Sequence, residues 1–115
     1  MDFDKLAKDV AKLEQAKLDT PDGMKAFVTT ARDILTAFLK DRKEQIRPGK
    51  IFTNAAEKQI IPTDIAARAD ALLVRWGGSV TPTDPKAVAD DAAKLMDVAA
   101  KLIPVLKAYK KEESP

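Results

Sequence analysis

Carboxylates and basic side chains are the groups in this sequence that could do chemistry, because its 115 residues include neither cysteine nor histidine. Without these two residue types the chain lacks the commonest pairs of nucleophile and base, the usual zinc ligands, disulfides and thiol redox motifs. We therefore expect no catalytic residues, no bound metal and no cofactor. An enzyme or metal protein built on carboxylates alone is a lesser alternative.

Three acids, Asp90, Asp91 and Asp97, fall on the last predicted helix. Asp90 precedes Lys94, and Asp97 precedes Lys101, by four positions, which is the order that stabilises an exposed helix face. The glutamates, at positions 14, 44, 57, 112 and 113, are scattered and do not converge on these acids. We therefore interpret the three aspartates as a solvated face.

The sequence shows no pattern typical of a hydroxyl nucleophile or of a phosphate-binding loop. The only serines are Ser79 and Ser114, and neither has a base available other than a lysine. Gly77-Gly78 lacks the further glycine and the Lys-Ser/Thr pair of a phosphate loop. The expectation is a protein that binds and does not catalyse.

Apolar residues recur at spacings of three and four along most of the chain, and this periodicity predicts helices. The predicted helices run from about Asp4 to Leu18, from Pro21 to about Ile46, from Asn54 to Ile60, from Thr63 or Asp64 to Trp76, and from Pro85 toward Tyr109. They predict one domain over residues 1–115, with an all-α fold. We expect a compact bundle of four main helices plus a short helix between the second and the fourth.

Helix starts and ends carry local signals. Thr20-Pro21 and Asp84-Pro85 each pair a capping side chain with proline at the first helical position. Asn54, followed by Glu57, resembles a capping box. The Arg47–Lys50 segment contains Pro48 and Gly49 and is predicted to end the second helix. The first two helices, joined by a short connection, should form an antiparallel hairpin.

The apolar stripes define the expected core. On the fourth helix the stripe is Ile65, Ala69, Leu72, Leu73 and Trp76; on the last it is Val88, Ala92, Leu95, Ala99, Leu102, Leu106 and Tyr109, widened by Met96 and Ile103. Pro104 falls inside the last stripe. A proline there removes one backbone donor, so we expect the helix to bend at this point and to continue.

The segment from Arg47 to Pro62 is the least regular part of the chain and is the predicted site of partner binding. The proposed contacts are Arg47, Lys50, Ile51, Phe52, Ile60 and Ile61. The apolar members either close one end of the bundle or form a surface for a protein partner or for a homodimer. The predicted function is a non-enzymatic protein-interaction module: an adaptor, an inhibitor or an accessory protein.

A basic cluster ends the second predicted helix and supports an alternative function. Its members are Lys40, Arg42, Lys43, Arg47 and Lys50. Cations at the carboxyl end of a helix complement the macrodipole, but the same residues could contact the phosphates of a nucleic acid. Asp41 and Glu44 dilute the cluster, and a net charge of +2 gives little steering toward an anionic partner. Nucleic-acid binding therefore ranks second.

The expected compartment is the cytoplasm. No apolar run approaches the roughly 18 residues that a membrane span needs. The amino terminus opens with Asp2 and Asp4, where a signal peptide would place a basic region and an apolar stretch. We therefore expect no membrane association.

A Trp-x-Gly turn between two helices supplies a third functional alternative. Trp76 is followed by Gly77-Gly78, and Tyr109 is followed four positions later by Glu113. These features resemble the small helical-hairpin proteins exported by the type VII secretion system, and the resemblance implies a two-helix hairpin and secretion. In that family the turn falls near the middle of the hairpin, whereas several helix breaks precede it here. Otherwise Trp76 is a core residue and the glycines end a helix.

Overall fold

The computed structural model describes residues 2–79 and 82–109, and all regular secondary structure in this part of the chain is helical. The helices are α1 (Phe3–Gln15), α2 (Pro21–Asp41), α3 (Ile51–Glu57), a 3₁₀ helix (Thr63–Ile65), α4 (Ala66–Trp76) and α5 (Pro85–Ala108). The predicted all-α bundle of four main helices with a short one between the second and the fourth is confirmed. None of these helices combines the length and the apolar character needed to cross a membrane.

Both predicted caps with proline lie at helix starts. At the start of α2 the Thr20 Oγ1 accepts a hydrogen bond of 3.0 Å from the backbone N–H of Gly23. At the start of α5 the Asp84 carboxylate accepts one of 3.1 Å from the N–H of Lys86. Asp2 caps α1 in the same way. Each bond satisfies a backbone donor that the first helical turn leaves unpaired.

The predicted end of α2 near Ile46 is wrong, because the helix ends at Asp41. Lys43 adopts a left-handed conformation, with φ at 57°. This turn lets the N–H of Glu44 donate to the carbonyl of Leu39 over 2.8 Å, a bond that closes the last helical turn. The helix therefore stops before the Pro-Gly segment that was predicted to end it.

The short helix lies earlier in the chain than predicted. The sequence predicts Asn54–Ile60, whereas α3 covers Ile51–Glu57. Asn54 is buried inside α3 and does not cap it. Its side-chain oxygen accepts a hydrogen bond of 3.3 Å from the backbone N–H of Arg47, and so it holds the preceding loop.

The 3₁₀ helix leads directly into α4, at the point where the sequence predicts a side-chain cap by Thr63 or Asp64. Neither side chain makes a cap hydrogen bond, so that prediction is wrong. The apolar face predicted for this helix is buried throughout: Ile65, Ala69, Leu72, Leu73 and Trp76. The core position of α4 therefore follows from its periodicity, although its start does not.

The predicted antiparallel packing of α1 and α2 is confirmed. The connection consists of residues 16–20, since α1 ends at Gln15 and not at Leu18. Asp2 and Lys5, at the start of α1, line a crevice together with Asp33 and other residues in the second half of α2. The two helices therefore run in opposite directions.

The α4 and α5 helices are also antiparallel, and three ion pairs show how they are aligned. The pairs are Arg75–Asp91 at 3.0 Å, Arg68–Asp97 at 2.6 Å and Lys101–Asp64 at 2.7 Å. As the residue number falls along α4 and the 3₁₀ helix it rises along α5. Beneath these pairs the apolar faces of both helices meet in the core.

The core stripe of α5 is confirmed with one exception. Its central members, from Ala92 to Leu106, are buried, and Ile103 is half-buried. Met96 is 50% exposed, so its predicted place in the core is wrong, and it lies on the solvent side of the stripe. The helix continues through Pro104, as predicted.

Candidate functional site

The four apolar residues predicted to bind a partner lie in the core. Ile51, Phe52, Ile60 and Ile61 are 5%, 1%, 1% and 4% exposed. Because α3 packs against both α2 and α4, the apolar side of this segment turns inward, where its burial stabilises the fold. The expectation that these side chains form an exposed surface is therefore corrected, and they close the bundle.

The basic residues of the same region stay at the surface. They are Lys40, Arg42, Lys43, Arg47 and Lys50. Arg47 forms an ion pair with Glu57; the other four make none with any residue that the structure describes. The last part of the cluster lies on the loop that leads to α3, because α2 ends early. Lys50 therefore places a positive charge without an ion pair to any described residue directly before the start of α3.

Asp70 of α4 caps the start of α3, a role that the sequence did not predict. The backbone N–H groups of Phe52 and Thr53 donate to its two carboxylate oxygens over 2.8 and 3.1 Å, and the Thr53 hydroxyl donates as well. Lys50, the residue before α3, supplies no side-chain cap. A carboxylate from another helix thus satisfies the first donors of α3 and fixes α3 on α4. The only sequence signal was an acid within an apolar helix.

A shallow groove of about 460 Å³ lies between the start of α3 and the outer side of α4, with Asp70 in its lining. We call it the α3–α4 groove. Its other lining residues are Gly49, Lys50, Thr53, Ala67, Ala71 and Val74. Val74 is 67% exposed. The sequence did place this valine outside the core stripe of its helix, and that was the available signal.

Asp91 corrects the interpretation of the acids on α5. Its side chain is 2% exposed and accepts hydrogen bonds from the indole of Trp76 at 2.8 Å and from Arg75 at 3.0 Å. Lys94 lies 4.0 Å away. Asp91 is therefore a buried structural group between α4 and α5. Its neighbour Asp90 is exposed, as predicted for this face, and Asp97, with a side chain 42% exposed, forms the predicted pair with Lys101 at 3.9 Å.

Asp9 is a third buried carboxylate that neighbouring groups already bind. Lys5 Nζ donates to it over 2.7 Å, and Lys12 lies 3.8 Å from its other oxygen. The hydrogen bond to Asp9, followed by the negative charge of that group, raises the pKa of Lys5. The crevice beside it between α1 and α2 holds only about 90 Å³, so we assign this group a structural role.

The features that resemble type VII export proteins have structural explanations. Trp76 is fully buried and ends α4, which belongs to a bundle of five helices. The two-helix hairpin that the resemblance implied is therefore wrong. Tyr109 donates a hydrogen bond of 3.0 Å to the carbonyl of Ile60 and so holds the end of α5 on the bundle. Glu113 lies outside the described residues.

Among the described residues no three acids lie close enough together to hold a metal ion. Ser79 is exposed in the loop after α4, and Ser114 lies outside the described residues. No protein-family model, curated protein or solved structure matches the chain significantly. The surface of the molecule itself therefore carries the evidence for function.

Proposed function

We propose that the chain is a non-enzymatic protein-interaction module and that it binds its partner in the α3–α4 groove. The observation that carries this proposal is Val74, a branched apolar residue that is 67% exposed beside small side chains in a concave surface. Removing apolar area from water contributes about 25 cal/mol per Å². A partner that covers this valine would gain that contribution.

Val74 is a better candidate than the other exposed apolar side chain. Val74 and Met96 are the large hydrophobic residues that the described part of the chain exposes. Single exposed apolar residues are common on protein surfaces, whereas a concave apolar site with a few polar groups is typical of binding. Val74 lines the groove and Met96 does not. We therefore assign the site to Val74.

The state of the carboxylates supports a binding role over catalysis. The three buried ones are Asp9, Asp70 and Asp91. Asp9 accepts a hydrogen bond from Lys5 within α1, Asp70 binds the start of α3, and Asp91 joins α5 to α4. A general acid or base must be able to exchange its proton with a substrate. These carboxylates instead already accept hydrogen bonds from donors of the protein itself.

Site-specific photo-crosslinking tests the proposal. The variant Val74→p-benzoylphenylalanine would be illuminated in an extract of the cells that produce the protein, and Ala7→p-benzoylphenylalanine, at an exposed position on α1, would be the matched control. We expect a discrete protein adduct with the first variant and none with the second. Equal labelling by both variants, or no adduct from position 74, would contradict the proposal.

Binding of a nucleic acid is the second candidate function, and one observation favours it. Lys40, Arg42, Lys43 and Lys50 are exposed, and none forms an ion pair with a described residue. Each phosphate that such cations neutralise releases counterions, so binding must weaken steeply with salt. An electrophoretic shift at low salt that disappears at high salt, and that Arg42→Ala with Lys43→Ala abolishes, would support this candidate over the first.

The cytoplasm is the compartment that we propose with this function. The proposal follows the expectation from the sequence, because the described helices add only that none of them spans a membrane. Fractionation of the source cells, followed by immunoblotting of the untagged chain, tests it. Recovery in the culture medium would contradict it.

A further inference from the structure

Building on the proposed function, we infer that the segment bound in the α3–α4 groove is an acidic amphipathic helix of the partner. Three properties of the groove lead to this class of ligand: the row of two alanines and one valine along α4, the absence of a free strand edge in its described walls, and the positive charge at one rim.

The row of two alanines and one valine on α4 fits a helix. Ala67, Ala71 and Val74 are spaced by four and then three positions, so they form one row along the exposed side of α4. Helices pack by inserting the side-chain ridge of one into the groove of the other, at interaxial distances of about 8 to 10 Å. Because the side chains of Ala67 and Ala71 are small, a second helix can approach α4 at the shorter of these interaxial distances. Gly49 and Thr53, on the opposite wall, also leave space.

The described walls of the groove offer an extended peptide few unpaired backbone groups to bind. Recognition by strand addition requires a row of unpaired backbone groups at a sheet edge. One wall of the groove is α4, and the other is the start of α3 with the loop residue Gly49. The backbone N–H groups of Phe52 and Thr53 already donate to Asp70. A helix needs only side-chain contact, since its own hydrogen bonds are internal.

The charge around the groove favours an acidic ligand. Lys50 lines the groove and makes no ion pair with a described residue. The chain that leads to it exposes Lys40, Arg42 and Lys43, among which Asp41 and Glu44 also lie. The acid in the lining, Asp70, accepts three hydrogen bonds from α3 and is 6% exposed. Complementary charge guides association and determines register, so the matching face of the ligand carries carboxylates beside its apolar row.

Peptide selection tests the ligand class directly. Random peptides of about 16 residues, or about four helical turns, would be displayed on phage and selected on the full chain, with counter-selection on Val74→Asp. We expect the selected sequences to share apolar residues three and four apart with Asp or Glu beside them, and to gain helicity by circular dichroism on binding. Enrichment of basic or proline-rich sequences, or no enrichment that depends on Val74, would overturn the inference.

A charge reversal gives an independent test with a selected acidic peptide. By fluorescence anisotropy, Lys50→Glu should weaken binding of that peptide by about tenfold and strengthen binding of its Lys-for-Glu counterpart. Lys8→Glu, at an exposed position on α1, is the control and should change neither. Unchanged affinity in Lys50→Glu would refute the acidic class. If position 74 still crosslinks a protein in that case, the proposed function stands and only the inference about the ligand fails.

Discussion

The indole Nε1 of Trp76 lies 2.8 Å from a carboxylate oxygen of Asp91, and this hydrogen bond joins the last residue of α4 to the second turn of α5. Both side chains are buried, and Arg75 shares the same carboxylate. A buried polar group stabilises a fold only while its partners are present. The pair therefore sets where α5 docks after the loop that follows α4.

Removing Asp91 should destabilise the protein much more than removing its neighbour. Asp91→Ala leaves the indole N–H of Trp76 without an acceptor in the core, which costs about 2 to 3 kcal/mol of unfolding free energy. Asp90→Ala, at an exposed position, should cost less than about 0.5 kcal/mol. Urea denaturation measures both, and equal losses would show that the hydrogen bond is not important for stability.

The fold follows from sequence where the apolar pattern is long. The core stripes of α4 and α5 are correct at nearly every position because burial selects one face of a helix, and residues such as Leu72 and Leu102 repeat at that spacing. Helix ends are harder to predict. Lys43 takes a left-handed conformation although it is neither glycine nor asparagine. The local sequence therefore does not predict the end of α2 at Asp41.

The candidate site could be predicted only in part, because tertiary contacts decide it. Ile51 and Phe52 resemble an exposed apolar loop in the sequence, but α3 starts three residues before Asn54 and turns both inward. This early start depends on Asp70, which lies on another helix. The sequence alone does not pair two positions so far apart, whereas the exposure of Val74 follows from the periodicity of α4.

Leucines at the centre of the core should be costly to truncate. Leu102 is fully buried and Leu72 is 3% exposed, so replacing either by alanine leaves a cavity. We expect Leu102→Ala and Leu72→Ala each to lower the free energy of unfolding by about 2 to 5 kcal/mol. Met96→Ala, at a half-exposed position on α5, is the control and should cost less than about 1 kcal/mol. Losses of that small size at both leucines would mean that the stripes do not form the core.

Gly23 should not tolerate a side chain, because α2 begins against the preceding loop. A Cβ atom at this position would lie 1.9 Å from the carbonyl oxygen of Lys17 and 2.8 Å from Thr20 Oγ1. Gly23→Ala should therefore cost about 1 to 3 kcal/mol, the usual range for overpacking, and should weaken the Thr20 cap. Gly78→Ala is the matched control, since its Cβ would approach no atom closer than 3.8 Å. Thermal unfolding compares the two, and equal midpoints would contradict the clash.

The ion pair between Lys101 and Asp64 should be visible in a titration. Its hydrogen bond of 2.7 Å, assisted by the charge of Lys101, lowers the pKa of Asp64 below its ordinary value of 3.8 and raises the pKa of Lys101 above 10.5. The stabilisation from Asp64 is present above pH 3.8 and is lost as the pH falls through its lower folded value. That from Lys101 is present below pH 10.5 and is lost as the pH rises through its higher folded value.

Replacing Lys101 tests this assignment. In Lys101→Gln the pKa of Asp64 should rise toward its ordinary value, and Lys8→Gln, on α1, should leave it unchanged. NMR titration of the Asp64 carboxyl carbon measures the shift. The effect on stability should be small at any pH, because both side chains are largely exposed. An unshifted pKa in Lys101→Gln would show that the pair does not persist in solution.

Pro104 should be replaceable by alanine with a gain in stability. It is exposed within α5 and has no backbone N–H, so the carbonyl of Ala100 lacks the donor that a helix normally supplies. Helix propensity favours alanine over proline by about 3 kcal/mol. Without proline the unfolded chain has more conformational entropy, which offsets about 0.4 to 1 kcal/mol of this gain. Pro104→Ala should therefore stabilise the bundle by roughly 2 kcal/mol in urea denaturation. Ala100→Pro, one turn earlier on the same exposed side, should destabilise it by about 3 kcal/mol. A loss of stability in Pro104→Ala would mean instead that the bundle requires a bend at this proline to seat Leu106 and Tyr109.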